Sequence, residues 1–198
     1  MPTISKEHGE IDEVALIASA FWRRLDTSGS DAARLYQTKT GWRLAGTAVF
    51  LQDKAPARLD YTLDLGADWT TERGVITGFV GGTIIDLMIV RDAASWSMNG
   101  TKTEGLEHLK DLDLGFTPAT NLPQVRRANL RVGESIDFAV AWWEPGTATL
   151  VELPQHYRRR SERTYWYESP SGPYRAELEI ASNVFVRSYP GLWVLESD

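Results

Sequence analysis

The fold turns on DLDLGFTPATNLPQVRR, residues 111–127. It opens as strict alternation, the period of a strand with one face buried, and breaks at Thr117-Pro118. Beyond the break the chain reads as a short helix. Thr117 can cap it, and Pro118 suits a first helical position because its missing N–H would be unpaired there. A start at Thr120 or Asn121, with Pro123 inside the first turn, is more economical. The helix then runs to about Asn129, with Leu122 and Val125 on one face and Arg126-Arg127 near its end. At about ten residues it is too short to be stable alone, so tertiary packing must hold it. Adjacent arginines point about 100° apart on a helix. One can therefore turn inward, and Asp111 or Asp113 is its expected partner.

Around this helix the dominant period is two. Ser30–Leu35, Trp42–Leu51, Leu59–Leu65, Val75–Val80, Thr83–Arg91, Ser95–Met98 and Thr101–Glu104 read as strands on the N-terminal side. Ser135–Trp143, Ala148–Leu153, His156–Arg160, Arg163–Glu168, Tyr174–Ile180 and Val184–Tyr189 read as strands on the C-terminal side. Asn99-Gly100 is a two-residue hairpin signal, and GFVGG at 78–82 reads as a turn or bulge. LDLG occurs at 63–66 and 112–115, each copy closing a strand at a glycine. About a dozen short strands imply an all-β sandwich, barrel or roll. With one helix among them, the expected arrangement is a mainly β domain whose sheet curls around it.

The 198 residues suit a single domain,, with 1–12 as a loose N-terminal extension. A formal charge of −6 argues against nucleic-acid binding,. There is no cysteine, which excludes disulfides, thiolate catalysis and cysteine-ligated metals,. The apolar run Val14–Phe21 has an acidic flank, unlike a secretory signal,, and no run approaches the ~20 apolar residues of a membrane span. A cytoplasmic protein without stable membrane insertion is expected. Sixteen of the 21 basic residues are arginine, and there are eight tryptophans. Both suit an aromatic core or a pocket that stacks flat, partly polar ligands.

Familiar catalytic spacings are absent. His8, His108 and His156 have no HExxH-like partners, and neither a GxSxG elbow nor a Walker loop occurs,. No metal or cofactor is expected. Asp60 with Asp64, and Asp111 with Asp113, share strand faces and could serve as acid and base. Solvated faces or ion pairs with arginine are the favoured reading. The segment QHYRRRSERTYWY, 155–167, places Tyr157, Arg159 and Arg163 on one side, joined by Tyr165 and Tyr167. Such a face suits sugar hydroxyls, phosphate or carboxylate, or equally an exposed sheet face of cross-strand Arg–Tyr pairs.

RLDYTLDLGADWTTE (58–72), WSMNG (96–100), DLDLGFTPATNLPQVRR (111–127), LPQHYRR (153–159), YWYES (165–169) and YPGLW (189–193) occur in that order. Together they resemble a bacterial family of proposed glycolipid-binding proteins, over most of the chain from about Trp22. The resemblance implies a spiral β-roll, one long antiparallel sheet wound round a single short helix, and a homodimer. It also implies non-catalytic binding of a glycolipid or similar amphipathic molecule. By motif position it nominates Arg58, Asp60, Tyr61, Trp69, Trp96, Asn99, Gln155, Tyr157, Tyr165 and Tyr167, to which the Arg/Tyr face adds Arg159. Two alternatives stand beside it: an enzyme acting on a lipid or sugar ester through the paired aspartates, or a purely structural or regulatory dimer.

Overall fold

The computed structural model describes residues 14–93, 95–169 and 174–197. The expected N-terminal extension, His8 and most of the turn at 169–173 lie outside them. The first arm comprises β1 (Ala15–Arg24), β2 (Gly29–Gln37), β3 (Gly41–Gln52), β4 (Ala55–Gly66), β5 (Thr71–Val80), β6 (Thr83–Asp92), β7 (Ser95–Met98) and β8 (Thr101–Thr103). Then come β9 (Leu112–Leu114) and the helix α1 (Asn121–Ala128). The second arm comprises β10 (Ser135–Trp143), β11 (Val151–Arg159), β12 (Thr164–Ser169), β13 (Tyr174–Ile180), β14 (Val186–Tyr189) and β15 (Trp193–Leu195).

All described strands join one 15-stranded open sheet, in the order β8 to β1, then β15 back to β9. Every pairing is antiparallel except β9 with β10, which is parallel. That exception accounts for the helix. Parallel neighbours cannot be joined by a tight turn and need a crossover of a dozen or more residues, usually helical. The helix is that crossover. The sheet rolls around it, and the segment before β9 lies across the other arm. The Lys110 carbonyl accepts from the Thr71 amide at 3.0 Å. The Leu109 carbonyl accepts from Arg91 at 2.8 Å and from the Trp96 indole at 3.2 Å.

The alternation in β4 is borne out: Tyr61, Leu63 and Leu65 point into the core, while Asp60, Thr62 and Asp64 lie on the half-buried outer face. The two strands expected at Ala148–Leu153 and His156–Arg160 are one, β11, which begins only at Val151 and ends at Arg159. Pro154 sits where β11 pairs with β10 alone, since β12 joins only from His156 onward. A missing N–H is tolerated at such a position. β1 and β15 are additions to the expected strands. In β1 the outward positions include exposed Leu16 and Phe21, which erases the apolar–polar contrast, and β15 has three residues.

The approach to the helix is buried without interruption from Phe116 to Gln124. Its polar groups must find partners inside the roll. Thr117 donates to the Asp31 carboxylate on β2, and Tyr61 on β4 donates to the same carboxylate at 2.9 Å. The Tyr61 ring reaches β2 by lying over Gly46 of β3. A Cβ at that glycine would overlap the Tyr61 hydroxyl and meet the Ala32 carbonyl at 2.7 Å. Burial pushes the Asp31 carboxyl up from 3.8 to about 7, against the pull of the Thr117 and Tyr61 hydroxyls and the Ala32 amide.

This junction can be tested in two ways. Gly46→Ala lowers stability by more than about 2 kcal/mol, because the added methyl collides with a fixed ring and with backbone. Chemical denaturation measures it. The folded state also holds the Asp31 proton more tightly than the unfolded chain does. Its contribution to stability therefore falls as pH rises from 3.8 to about 7, and is level above that,. Asp31→Asn removes this part of the slope, so denaturation midpoints at pH 5 and pH 8 lie closer together than in the wild type.

Candidate functional site

The helix divides the interior chemically. At its N-terminal end the Thr120 hydroxyl donates to the Asp113 carboxylate at 2.6 Å, and the Gln155 amide donates to it at 2.8 Å. Asn121 donates to the Tyr157 hydroxyl, which donates onward to Gln124, both at 2.9 Å. Burial pushes the Asp113 carboxyl above its ordinary range despite these bonds. A cavity of about 310 Å³ opens beside Asp113 and Asn121, lined also by Tyr167, Tyr174, Tyr189 and Trp142.

At the C-terminal end Asn129 takes a left-handed conformation, φ 44°, and its N–H bonds the Val125 carbonyl. The two arginines part here, as the 100° geometry requires. Arg127 turns inward onto Asp111, with contacts of 2.5, 2.9 and 3.0 Å. Burial raises the Asp111 carboxyl against the attraction of Arg127. Arg126 turns outward and lies 6.0 Å from the centre of the Trp69 ring.

Two adjoining cavities meet over this end, of about 570 and 250 Å³. They share Arg126, Asn129 and Val184. The larger is walled by Ile17, Leu35 and a stacked tryptophan pair, Trp42 on Trp69, with ring centres 4.3 Å apart. Trp69 has φ 70°, rare for a bulky side chain,. A closed turn imposes it: Trp69 donates to the Gly66 carbonyl, Gly66 donates to the Thr70 carbonyl, and Asp68 accepts from Thr70. These last bonds, the Thr70 amide foremost, hold the Asp68 carboxyl below its ordinary value.

The smaller cavity sets charged and polar side chains beside Val125, Ile180 and Ala181. Arg159, Arg163, Glu162, Tyr165 and Ser182 line it. Arg159 donates to the carbonyls of Leu130, Ser161 and Glu162 at 2.8, 3.1 and 2.8 Å, and its guanidinium sits 5.6 Å from the Tyr165 ring centre.

Of the nominated residues, Trp69, Arg159 and Tyr165 come together at this cleft. Tyr167 lines the cavity at the opposite helix end, with Gln155 and Tyr157 buried beside the helix N-terminus. Tyr61 is part of the Asp31 junction, and Trp96 is fully buried. Asn99 pins the hairpin edge, accepting from the Met88 amide and donating to the Asp86 carbonyl. Arg58 pairs with Asp60 on the outer face, and Asp64 pairs with Arg43. Of the Arg/Tyr face of 155–167, Tyr157, Tyr165 and Tyr167 are buried and Arg159 half-buried inside the roll, whereas Arg163 is exposed. Sequence reasoning missed Trp42, which reaches the cleft only through the turn at Trp69. The one inward arginine expected of the pair is Arg127, and of its two expected partners it takes Asp111. Among the described residues no cluster of side chains suits a metal ion.

Comparison with known proteins decides the kinship: the family model described as "Putative glycolipid-binding" matches residues 19–194. The chain belongs to this family. A crystal structure of a DUF1089 family protein from Pseudomonas aeruginosa shares the fold of this family member, with a TM-score of 0.75. It is 23% identical, and the match covers 85% of this chain and 92% of that one. A search of curated proteins finds no match. No helix among the described residues of this family member is long and apolar enough to cross a membrane.

Tyr157→Phe should lower stability by about 1–3 kcal/mol, because it strips Asn121 and Gln124 of a buried partner. Urea denaturation reads this directly.

Proposed function

We propose that this family member binds a glycolipid or similar amphipathic molecule in the cleft at the helix C-terminus, without catalysing a reaction on it. The observation that carries the reading is the mixed lining of that cleft, aromatic and aliphatic surface next to guanidinium and hydroxyl groups. In the larger part the Trp42–Trp69 stack, Ile17 and Leu35 offer aromatic and aliphatic surface beside Asp68 and Arg127; in the smaller part Arg159, Arg163, Tyr165 and Ser182 offer polar groups beside Val125, Ile180 and Ala181. An alkyl chain or the apolar face of a sugar lies against the first, and a polar head against the second. Trp69, Arg159 and Tyr165 are the nominated residues that touch ligand in this reading. Gln155, Tyr157 and Tyr167 support the roll from behind, and Arg58, Asp60, Tyr61, Trp96 and Asn99 hold the sheet.

The aspartates favour binding over hydrolysis. Asp60, Asp64 and Asp111 are each committed to an arginine, and Asp113 to a hydroxyl and an amide. The proposal includes a homodimer in the bacterial cytoplasm, for which the outer sheet face offers exposed Val49, Leu51 and Ile84.

The test is native mass spectrometry of the protein purified gently from its host, with lipidomics of what denaturation releases. A stoichiometric amphipathic ligand is expected, and the same spectrum reads the dimer. Trp69→Ala should weaken calorimetrically measured binding of octyl glucoside by about threefold to tenfold, the range of a stacked ring contact. Apoprotein alone, together with an unchanged octyl glucoside isotherm, would overturn the reading.

A further inference from the structure

We infer that the head group this cleft accepts is anionic: a phosphate, sulfate or carboxylate seated between Arg126, Arg159 and Arg163. The inference rests on the amphipathic binding reading and adds the charge of the ligand. The chain as a whole carries −6, yet three guanidinium groups line one cavity of about 250 Å³. Among the described residues, none of the three is ion-paired with a carboxylate. Arg127, next in sequence, is neutralised by Asp111, whereas Arg126 is held over the Trp69 ring.

Arg159 is the best-defined member. Its three hydrogen bonds go to neutral backbone carbonyls, which fix the guanidinium plane without cancelling its charge. A guanidinium has five N–H donors, so two remain for a ligand. Planar forks of this kind match the oxygens of phosphate and carboxylate. Two carboxylates border the cleft and oppose an anion. Glu162 lines the same cavity, and Asp68 lies in the larger one, where Thr70 occupies it. Three cations against one carboxylate leave the smaller cavity net positive. Part of that charge complements the helix C-terminus, but this accounts for Arg126 and Arg127 in the last turn. It does not account for Arg159 and Arg163, which come from the end of β11 and the turn before β12.

The test compares two soluble ligands that differ in one group, octyl glucoside and octyl glucuronide, with inorganic phosphate as a third. Calorimetry at low salt is expected to give glucuronide binding about tenfold or more tighter than glucoside. The ratio should fall toward one in Arg126→Gln/Arg163→Gln and as salt rises. Both arginines are exposed, so the double variant should melt as the wild type does. Equal affinity for the two glycosides overturns the anionic inference while leaving the amphipathic reading intact. Failure of both glycosides to bind, with phosphate also silent, overturns both. Phosphate binding as tightly as glucuronide and displacing it supports an anion site filled by free phosphate. Displacement only at far higher phosphate concentration supports a lipid-borne head group.

Discussion

A buried hydroxyl or amide without a partner costs about 1–3 kcal/mol, and the centre of this roll is threaded by a segment full of them. Thr117, Thr120, Asn121 and Gln124 all lie inside. The surrounding sheet answers nearly all of them: Thr117 by Asp31 on β2, Thr120 by Asp113 on β9, Asn121 and the Gln124 carbonyl oxygen by Tyr157 on β11, while the Gln124 amide nitrogen has no hydrogen-bond partner among the described residues. Strands on opposite sides of the roll are thus tied to one short piece of chain. A purely apolar segment would fill the same space, but it would not fix the rotation of the helix or its position along the axis.

That fixed rotation produces the cleft. With the N-terminal turn locked, Arg127 must face Asp111 and Arg126 must face out toward Trp69. The glycine-closed turn at 66–70 then brings Trp69 onto Trp42 from the neighbouring strand. The two parts of the cleft come from different arms of the chain and share only the helix end and Val184. Polar chemistry and aromatic surface are brought into register by the same bonds that solve the burial problem.

The sequence made the period-two strands, the hairpin at Asn99-Gly100 and the helix from Asn121 legible, because each is written locally. Pro123 in the first turn and the arginine pair near the end bracketed the helix within a residue. The β-roll came from family resemblance, since periodicity cannot say which strands are neighbours. Two features resisted for a physical reason. β1 has apolar residues on both faces, so alternation carries no signal there. The cleft joins Trp42 and Trp69 to Arg126, Arg159 and Tyr165, residues whose proximity depends on how far the sheet has rolled. The Arg/Tyr face was legible as a face, yet whether it looked inward depended on the same curl.

The strand order also bears on how the chain assembles. Along β1 to β8, and again along β10 to β15, each strand pairs with its neighbour in sequence. Both runs can therefore form as ribbons of hairpins, each on the order of microseconds. What joins the ribbons is the pairing of β1 with β15, three residue pairs long, from Trp22–Leu195 to Arg24–Trp193. Closing so large a loop for so few bonds is the entropically expensive step. The molecule is then two local zippers with one late clasp, and the clasp sits in the middle of the finished sheet rather than at its edge.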